Sequence, residues 1–262
     1  MRTGLTVVGS VILALAATAG YAADDSAAAR ALFENPTRDY TSGPLWVWNE
    51  DMTDQLIRDA LADLSSQGVL QVFVHPRPGL MTPYLSDKWF HLWEVALEEA
   101  RKHDMNVWIY DENSYPSGFA GGYVPEAMPD SRGLGVELNE AKSPGKVSDM
   151  VMAVYVKEGD VYKNITEDVK AGKEFPKGEY MIAKRKLAGT SPWFGGTHYV
   201  DLLKPGVTQK FLEITLEPHR TRLAAGFGKR IPGSFTDEPH LAPAGGFHWT
   251  ENMVDLFQKR WG

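Results

Sequence analysis

The sequence contains no cysteine, and this absence excludes several kinds of site at once. The chain has no disulfide framework, no thiolate nucleophile, no sulfur ligand for a metal and no attachment residue for a lipid anchor. Positive charge is also in short supply, because 27 Lys and Arg residues oppose 34 Asp and Glu residues and give a formal charge of −7. We therefore expect no nucleic acid partner, since phosphate binding requires clustered Lys and Arg.

Long hydrophobic runs are missing except at the N-terminus. There Arg2 precedes an apolar run over residues 5–19, and the small residues Gly20 and Ala22 mark a plausible cleavage point. The run is shorter than the roughly 20 apolar residues that a membrane-spanning helix needs. We interpret residues 1–22 as a signal peptide, and we expect a secreted or periplasmic protein with no membrane association once the signal is removed.

Beyond residue 43 the chain alternates short apolar runs with helical spacing, which is typical of parallel strands joined by crossover helices. The predicted strands cover residues 45–48, 69–75, 105–112 and 230–238. Between residues 133 and 190, by contrast, apolar runs are separated by turns such as 158–160, which indicates antiparallel hairpins. The predicted fold class is α/β, with the first four β/α units of a (β/α)8 TIM-type barrel and an inserted antiparallel β module.

Four β/α units do not close a barrel, which needs eight parallel strands. The chain is therefore either truncated or a smaller open sheet, and we favour truncation because a half-barrel leaves an unpaired strand edge that natural proteins avoid. The predicted organisation is a linker over 23–42, barrel units one to three over 43–132, the β module over 133–190, and the continuation of the barrel over 191–262.

The predicted strand ends are unusually polar, and in a β/α barrel these ends carry the catalytic groups. The four ends read Trp48-Asn49-Glu50, His75-Pro76-Arg77, Asp111-Glu112-Asn113 and Asp237-Glu238-Pro239-His240. Glycoside hydrolysis needs one carboxylic acid to protonate the leaving oxygen and one carboxylate to activate water or attack the anomeric carbon. Glu112 and Glu238 are therefore candidates, although either could be a solvated loop residue or a helix cap.

Two histidines at the same ends leave a second chemistry open. His75 and His240 could each bind a sugar hydroxyl or tune a carboxylate, and with Asp111 and Asp237 they would also suit a divalent metal. A metal-dependent sugar isomerase or hydrolase is therefore one alternative. A non-catalytic carbohydrate-binding barrel, in which the acids only bind hydroxyls, is the other. The glycine-rich segment 115–122 lacks the pattern of a phosphate or dinucleotide loop and predicts a tight loop near a ligand.

Five segments resemble the conserved blocks of family 106 glycoside hydrolases, the α-L-rhamnosidases and their relatives. They read PLWVWN, VFVHPRPGL, WIYDENSYPSGFAGG, HYVDLLKPG and GSFTDEPHL, and the resemblance covers residues 43–262. It implies a secreted, polysaccharide-degrading enzyme with an inverting mechanism, a barrel with an embedded β module, and calcium near the site. Members of that family are far longer than this chain.

When the catalytic roles of the family are carried over by position, the resemblance implies that Glu238 and Glu112 are the catalytic glutamates. It does not indicate which is the acid and which is the base. The expected substrate is an oligo- or polysaccharide with an α-L-rhamnosyl or related deoxy-sugar linkage. The residues that we expect to bind the sugar are Asp111, Asp237, His240, His75, Trp48, Asn49 and Tyr115.

Overall fold

The computed structural model describes residues 26–262, so the predicted signal peptide lies outside the described residues. The helices are α1 (26–34), α2 (Asp54–Ser66), α3 (Asp87–Lys102), α4 (Tyr123–Ala127), α5 (Thr166–Lys170), α6 (Val207–Arg222) and α7 (Met253–Trp261). The strands are β1 (Leu45–Trp48), β2 (Gln71–Pro76), β3 (Asn106–Tyr110), β4 (Leu134–Ala141), β5 (Val151–Glu158), β6 (Val161–Asn164), β7 (Tyr180–Leu187), β8 (Ser234–Phe235) and β9 (Phe247–Trp249). Within residues 26–262, no helix combines the length and apolar character needed to cross a bilayer.

A four-stranded parallel sheet forms one half of the fold, in the order β1-β2-β3-β8. Helix α2 connects β1 to β2 and helix α3 connects β2 to β3, as the alternating pattern predicts. Because neighbouring strands run in the same direction, their carboxyl ends meet at one edge of the sheet. The described strands form an open sheet, and the partial TIM barrel stays a prediction.

Local signals explain where the first helices begin and end. The hydroxyl of Thr53 accepts a hydrogen bond from the N–H of Leu56 at 3.2 Å, and the Ser86 hydroxyl accepts one from the N–H of Trp89 at 3.2 Å. These side chains satisfy backbone donors that the first helical turn leaves free. Beyond the C-terminus of α2, Gly68 has φ of +78°, a conformation that glycine adopts without a steric penalty.

The main core lies between the parallel sheet and helices α2 and α3, and tryptophan dominates it. Trp48, Trp89 and Trp93 are at most 1% exposed, and the Trp48 and Trp89 rings meet edge to face with centroids 5.1 Å apart. His219 of α6 completes the group, with its ring 5.3 Å from that of Trp93. Helix α6 is therefore attached to α3 through an aromatic cluster.

His219 is expected to make the protein less stable in mild acid. Its Nδ1 donates to the Thr215 carbonyl at 2.7 Å, which leaves Nε2 to accept the indole N–H of Trp89 at 3.3 Å. A second ring proton would face that N–H, and burial lowers the pKa of His219 from 6.5 to about 4. Because the unfolded chain binds the proton first, stability should fall by about 3 kcal/mol as the pH drops from 6.5 to 4.

Denaturant unfolding between pH 4 and pH 7 measures this effect. In His219→Gln the pH dependence should weaken by that amount, whereas His91→Gln, which changes an exposed histidine of α3, should keep it. Equal pH dependence in the wild type and His219→Gln would contradict the assignment.

An antiparallel sheet forms the other half of the fold, in the order β6-β5-β7-β4-β9. Strands β4 to β7 come from the segment for which the sequence predicts hairpins, and β4 pairs with β7 along its whole length. The fifth strand, β9, was not predicted. It lies beside the start of β4, where Gly135 is needed because a Cβ there would lie 2.2 Å from the Gly245 carbonyl oxygen.

The fourth parallel strand lies within the predicted range 230–238 but is shorter than predicted. The carbonyls of Arg230 and Gly233 accept N–H groups of β3, yet the regular strand has only two residues. It is short because the N–H groups of Arg230 and Ile231 bond to the Gly226 carbonyl, and Pro232 has no N–H to donate. Helix α7 begins after Asn252, and the Thr250 carbonyl accepts the N–H of Met253.

Candidate active site

The candidate site lies at the carboxyl edge of the parallel sheet, where two acidic pairs follow adjacent strands. Asp111 and Glu112 come directly after β3, and Asp237 and Glu238 follow β8 by one residue. Strands β3 and β8 are paired in parallel, with Tyr110 opposite Phe235. The sheet thus brings together the two acidic pairs that the sequence singled out, yet the four carboxylates lie in very different surroundings.

Asp111 is buried and holds two loops together. Its oxygens accept hydrogen bonds from the hydroxyls of Ser117 at 2.6 Å and Thr236 at 2.5 Å. Ser117 also pairs with the backbone of Asp237, donating its N–H to the carbonyl at 2.8 Å and accepting the N–H at its hydroxyl at 2.9 Å. Burial raises the pKa of Asp111, and the two hydroxyl donors oppose that rise. Asp111 therefore positions the segment that carries Asp237.

Asp237 is half-buried and is oriented by a tyrosine. The hydroxyl of Tyr110 donates to its Oδ2 at 2.7 Å, and the ring of Tyr110 stacks on the ring of His75 with centroids 3.6 Å apart. His75 is fully buried, and its Nε2 lies 3.3 Å from the Ser114 carbonyl oxygen. Burial and the nearby Arg77 guanidinium lower the pKa of His75 to about 4, so its ring is neutral at pH 7. His75 supports Tyr110 from below the site.

Glu238 has the most accessible of the four carboxylates. It is exposed, and its Oε2 accepts a hydrogen bond from the Tyr115 hydroxyl, whose pKa this bond raises. Its φ of +41° is in a region that residues other than glycine rarely adopt. Ser114 and Ala120, in the loop that faces it, also have positive φ, at 103° and 53°. Such backbone strain collects at functional sites because surrounding contacts must maintain it.

Glu112 has the opposite surroundings, because it is completely buried and surrounded by backbone donors. Its Oε1 accepts the N–H groups of Asn113 at 2.8 Å and Gly121 at 2.6 Å. Its Oε2 accepts three more, from Gly118 at 2.9 Å, Phe119 at 3.0 Å and Ala120 at 2.8 Å.

Glu112 therefore holds the loop that follows β3 in place through these five hydrogen bonds. Burial raises the pKa of Glu112 to about 8, although its backbone donors act in the opposite direction. All five neighbours are donors, so a proton on this carboxyl would displace one of them, and the geometry fits the anion. Neither oxygen is free to reach a substrate in this structure. The catalytic role that the sequence suggests for Glu112 stays a prediction, and its contacts do not favour it.

Three of the residues expected to bind sugar lie in other surroundings. Trp48 is fully buried in the aromatic core, so its ring does not face the site. Asn49 is exposed, and its carbonyl lies against Gly79 in the loop after β2. His240 is exposed, with its backbone N–H bonded to the Tyr199 hydroxyl at 3.0 Å. Asn49 and His240 therefore lie at the surface, whereas Trp48 packs the end of its own strand, β1, into the core.

Two residues at this edge were missed as functional candidates. Trp193 is 39% exposed, and its indole N–H donates to the Tyr115 carbonyl. The Arg77 guanidinium lies over the Trp193 ring, 5.4 Å from its centroid. The sequence carries a signal for each of them. Trp193 lies in a loop beside a proline and two glycines, and Arg77 is the only Lys or Arg residue among the four predicted strand ends.

Residues 26–262 contain no group of three or more His, Asp or Glu side chains placed to hold a metal ion. Asp111 and Asp237 are instead occupied by hydroxyl donors, and His75 is buried under Tyr110. The described residues thus assign no ligands to the calcium that the resemblance implies, nor to the metal of the alternative enzyme class. Both stay predictions.

The fold is similar to that of a rhamnosidase from Novosphingobium sp. PP1Y. The TM-score is 0.51, the sequence identity is 11%, and the match covers 87% of this chain. It covers 41% of the rhamnosidase, so this chain spans less than half the length of the structure that it matches. At this identity the likeness shows the fold alone, which is rhamnosidase-like. No protein-family model matches the sequence, and no curated protein matches it.

Proposed function

We propose that this chain is part of an exported glycoside hydrolase that cleaves α-L-rhamnosyl or related deoxy-sugar linkages. The observation that carries the proposal is the accessible Glu238 carboxylate beside Asp237, at the carboxyl edge of a parallel sheet. Catalytic groups of β/α folds lie at this edge. The rhamnosidase-like fold and the family 106 resemblance of the sequence support the sugar class, and the N-terminal pattern supports export.

In this proposal Glu238 acts directly on the substrate. Hydrolysis with inversion needs one group to protonate the leaving oxygen and another to activate water on the opposite face of the ring. The Tyr115 hydroxyl would hold Glu238 in place, and Tyr110 would hold Asp237 against the sugar. The second catalytic carboxylate is either the half-buried Asp237 or the predicted Glu112, and Asp237→Asn and Glu112→Gln separate the two.

The complete enzyme is expected to hydrolyse 4-nitrophenyl α-L-rhamnopyranoside and to leave the β-D-glucopyranoside intact. Proton NMR during the first turnovers should show β-L-rhamnose, because inversion changes the anomeric configuration once. Initial release of α-L-rhamnose would contradict inversion. Binding of rhamnosides without any turnover would favour the non-catalytic carbohydrate-binding alternative.

A further inference from the structure

The antiparallel sheet has one covered face and one open face. The small core of this half of the fold lies on the covered face, where Val154, Tyr180 and Ile182 pack together. Because side chains alternate in direction along a strand, the neighbours of these residues lie on the open face. Tyr155 is opposite Met181 there, and both side chains are half-buried. The open face of an antiparallel sheet is normally polar, so these apolar side chains favour a binding surface.

A cavity of about 380 Å³ lies at one end of the open face. Its wall includes side chains from or beside four neighbouring strands, namely Tyr162 of β6, Lys157 of β5, Glu179 directly before β7, Glu140 of β4 and Lys142 directly after β4. The volume lies within the ~300 to 1,000 Å³ that is typical of small-molecule sites, so the cavity has room for a sugar ring.

The ring of Tyr162 forms the aromatic part of this wall. Tyr162 is 47% exposed and opposite Lys157 in the register of β5 and β6. Within residues 26–262, no other aromatic ring stacks on it and no guanidinium or ammonium group lies over its face. An uncovered tyrosine ring offers an apolar face with a hydroxyl at one end, which suits a sugar because a sugar also has apolar faces and polar edges.

The charged groups of the cavity balance each other. The Lys157 ammonium donates to the Glu179 carboxylate at 2.8 Å. Glu140 and Lys142 line the same cavity, and within residues 26–262 neither forms an ion pair. Two ammonium groups and two carboxylates thus face the cavity, and they do not select a ligand of either sign. They suit hydroxyl groups, because a hydroxyl donates to a carboxylate and accepts from an ammonium group.

We infer that this cavity is a second carbohydrate site, which binds a neutral sugar unit of a polysaccharide outside the candidate active site. The Tyr162 ring would stack on the sugar, and Glu140 and Lys142 would bond to its hydroxyls. The inference rests on the proposed function for the class of ligand. Asp237 and Glu238 follow the parallel sheet, whereas the cavity belongs to the antiparallel sheet. A glycan held on both sheets would stay near the active site at a raised effective concentration.

Ligand-observed NMR titration of the full chain tests the inference without requiring turnover. The probes are methyl α-L-rhamnopyranoside, methyl β-D-galactopyranoside, xylotetraose and cellotetraose. At least one should bind with a Kd on the order of 1 mM, as expected of a shallow site with one aromatic ring. Tyr162→Ala should weaken this binding by at least about tenfold, and Tyr162→Phe should retain it, because phenylalanine keeps the ring. The Kd should change less than about twofold between about 50 mM and about 300 mM salt, because the ligand is neutral.

Tyr40→Ala is the matched control, because Tyr40 is 69% exposed and lies outside this cavity. It should bind the probes like the wild type. The inference is overturned if no probe binds at about 10 mM, or if binding survives Tyr162→Ala. A dimer that Tyr162→Ala dissociates would also overturn it, because the open face would then bind a second copy of the chain.

Rhamnoside turnover by the complete enzyme tests the proposed function separately. Tyr162→Ala should leave the turnover of 4-nitrophenyl α-L-rhamnopyranoside unchanged, because Tyr162 lies on a different sheet from Glu238. An absence of turnover in the wild type would contradict the proposed function, whereas Tyr162-dependent sugar binding would still support the second site.

Discussion

Glu238→Gln is expected to lower rhamnoside turnover by the complete enzyme by about 10²- to 10⁴-fold, the usual contribution of a general acid or base. Glutamine keeps the size of the side chain and can still accept the Tyr115 hydrogen bond, but it exchanges no proton. Because Glu238 is exposed, its amide stays solvated and the free energy of unfolding should change little. Steady-state kinetics and denaturant unfolding of the same preparation measure both quantities.

Asp237→Asn is the matched control for Glu238→Gln, since the two carboxylates are consecutive and at the same edge. If Asp237, held by the Tyr110 hydroxyl, only orients the sugar, its variant should mainly raise KM and retain most of kcat. Near-normal turnover of Glu238→Gln with an inactive Asp237→Asn would show that the catalytic group lies one residue earlier.

Leaving-group ability separates acid from base. A variant that has lost its general acid should recover activity on aryl rhamnosides with acidic phenols, because such leaving groups need no protonation. A variant that has lost its general base should not recover. Applied to Glu238→Gln and Asp237→Asn, this comparison shows whether either carboxylate is the general acid or the general base.

The positions of the parallel strands could be predicted because they depend on local pattern. Residues 45–48, 69–75 and 105–112 are apolar runs separated by helices with caps such as Ser86, and each overlaps an observed strand, with β2 ending one residue later than predicted. The meeting of Asp111 with Asp237 then follows from topology, because adjacent parallel strands end at one edge. Strand β9 could not be predicted, because its three residues form a strand only by pairing with β4, which is distant in the sequence. A local sequence pattern does not indicate such a pairing.

The surroundings of each site residue could not be predicted in the same way. Asp111 and Glu112 are consecutive carboxylates and look equivalent in the sequence. Their side chains nevertheless lie in different surroundings, because the loop over residues 118–121 folds around Glu112 alone. That loop depends on positive φ at Gly118, Ala120 and Gly121, and only the glycines signal this conformation. Trp48 illustrates the same limit, because the sequence does not say that its ring faces the core.

Glu112→Gln is expected to lower the free energy of unfolding by about 3 kcal/mol or more, unlike the same substitution at Glu238. Glutamine offers one acceptor oxygen and one amide donor where the glutamate offers two acceptors. Whichever way the amide is placed, its NH2 group meets at least two backbone N–H groups, those of Asn113 and Gly121 or the three around the other oxygen. Buried donors left without acceptors cost about 1 to 3 kcal/mol each.

Unfolding in urea and amide hydrogen exchange together test this anchor role. The amides of residues 118–121 should lose protection in Glu112→Gln, and they should keep it in Glu238→Gln, because only the first change touches their acceptor. Turnover should fall in Glu112→Gln as a consequence of the disordered loop, with no recovery on substrates that have acidic leaving groups. Unchanged stability and exchange, combined with lost turnover and such recovery, would instead make Glu112 the general acid, protonated as its raised pKa permits.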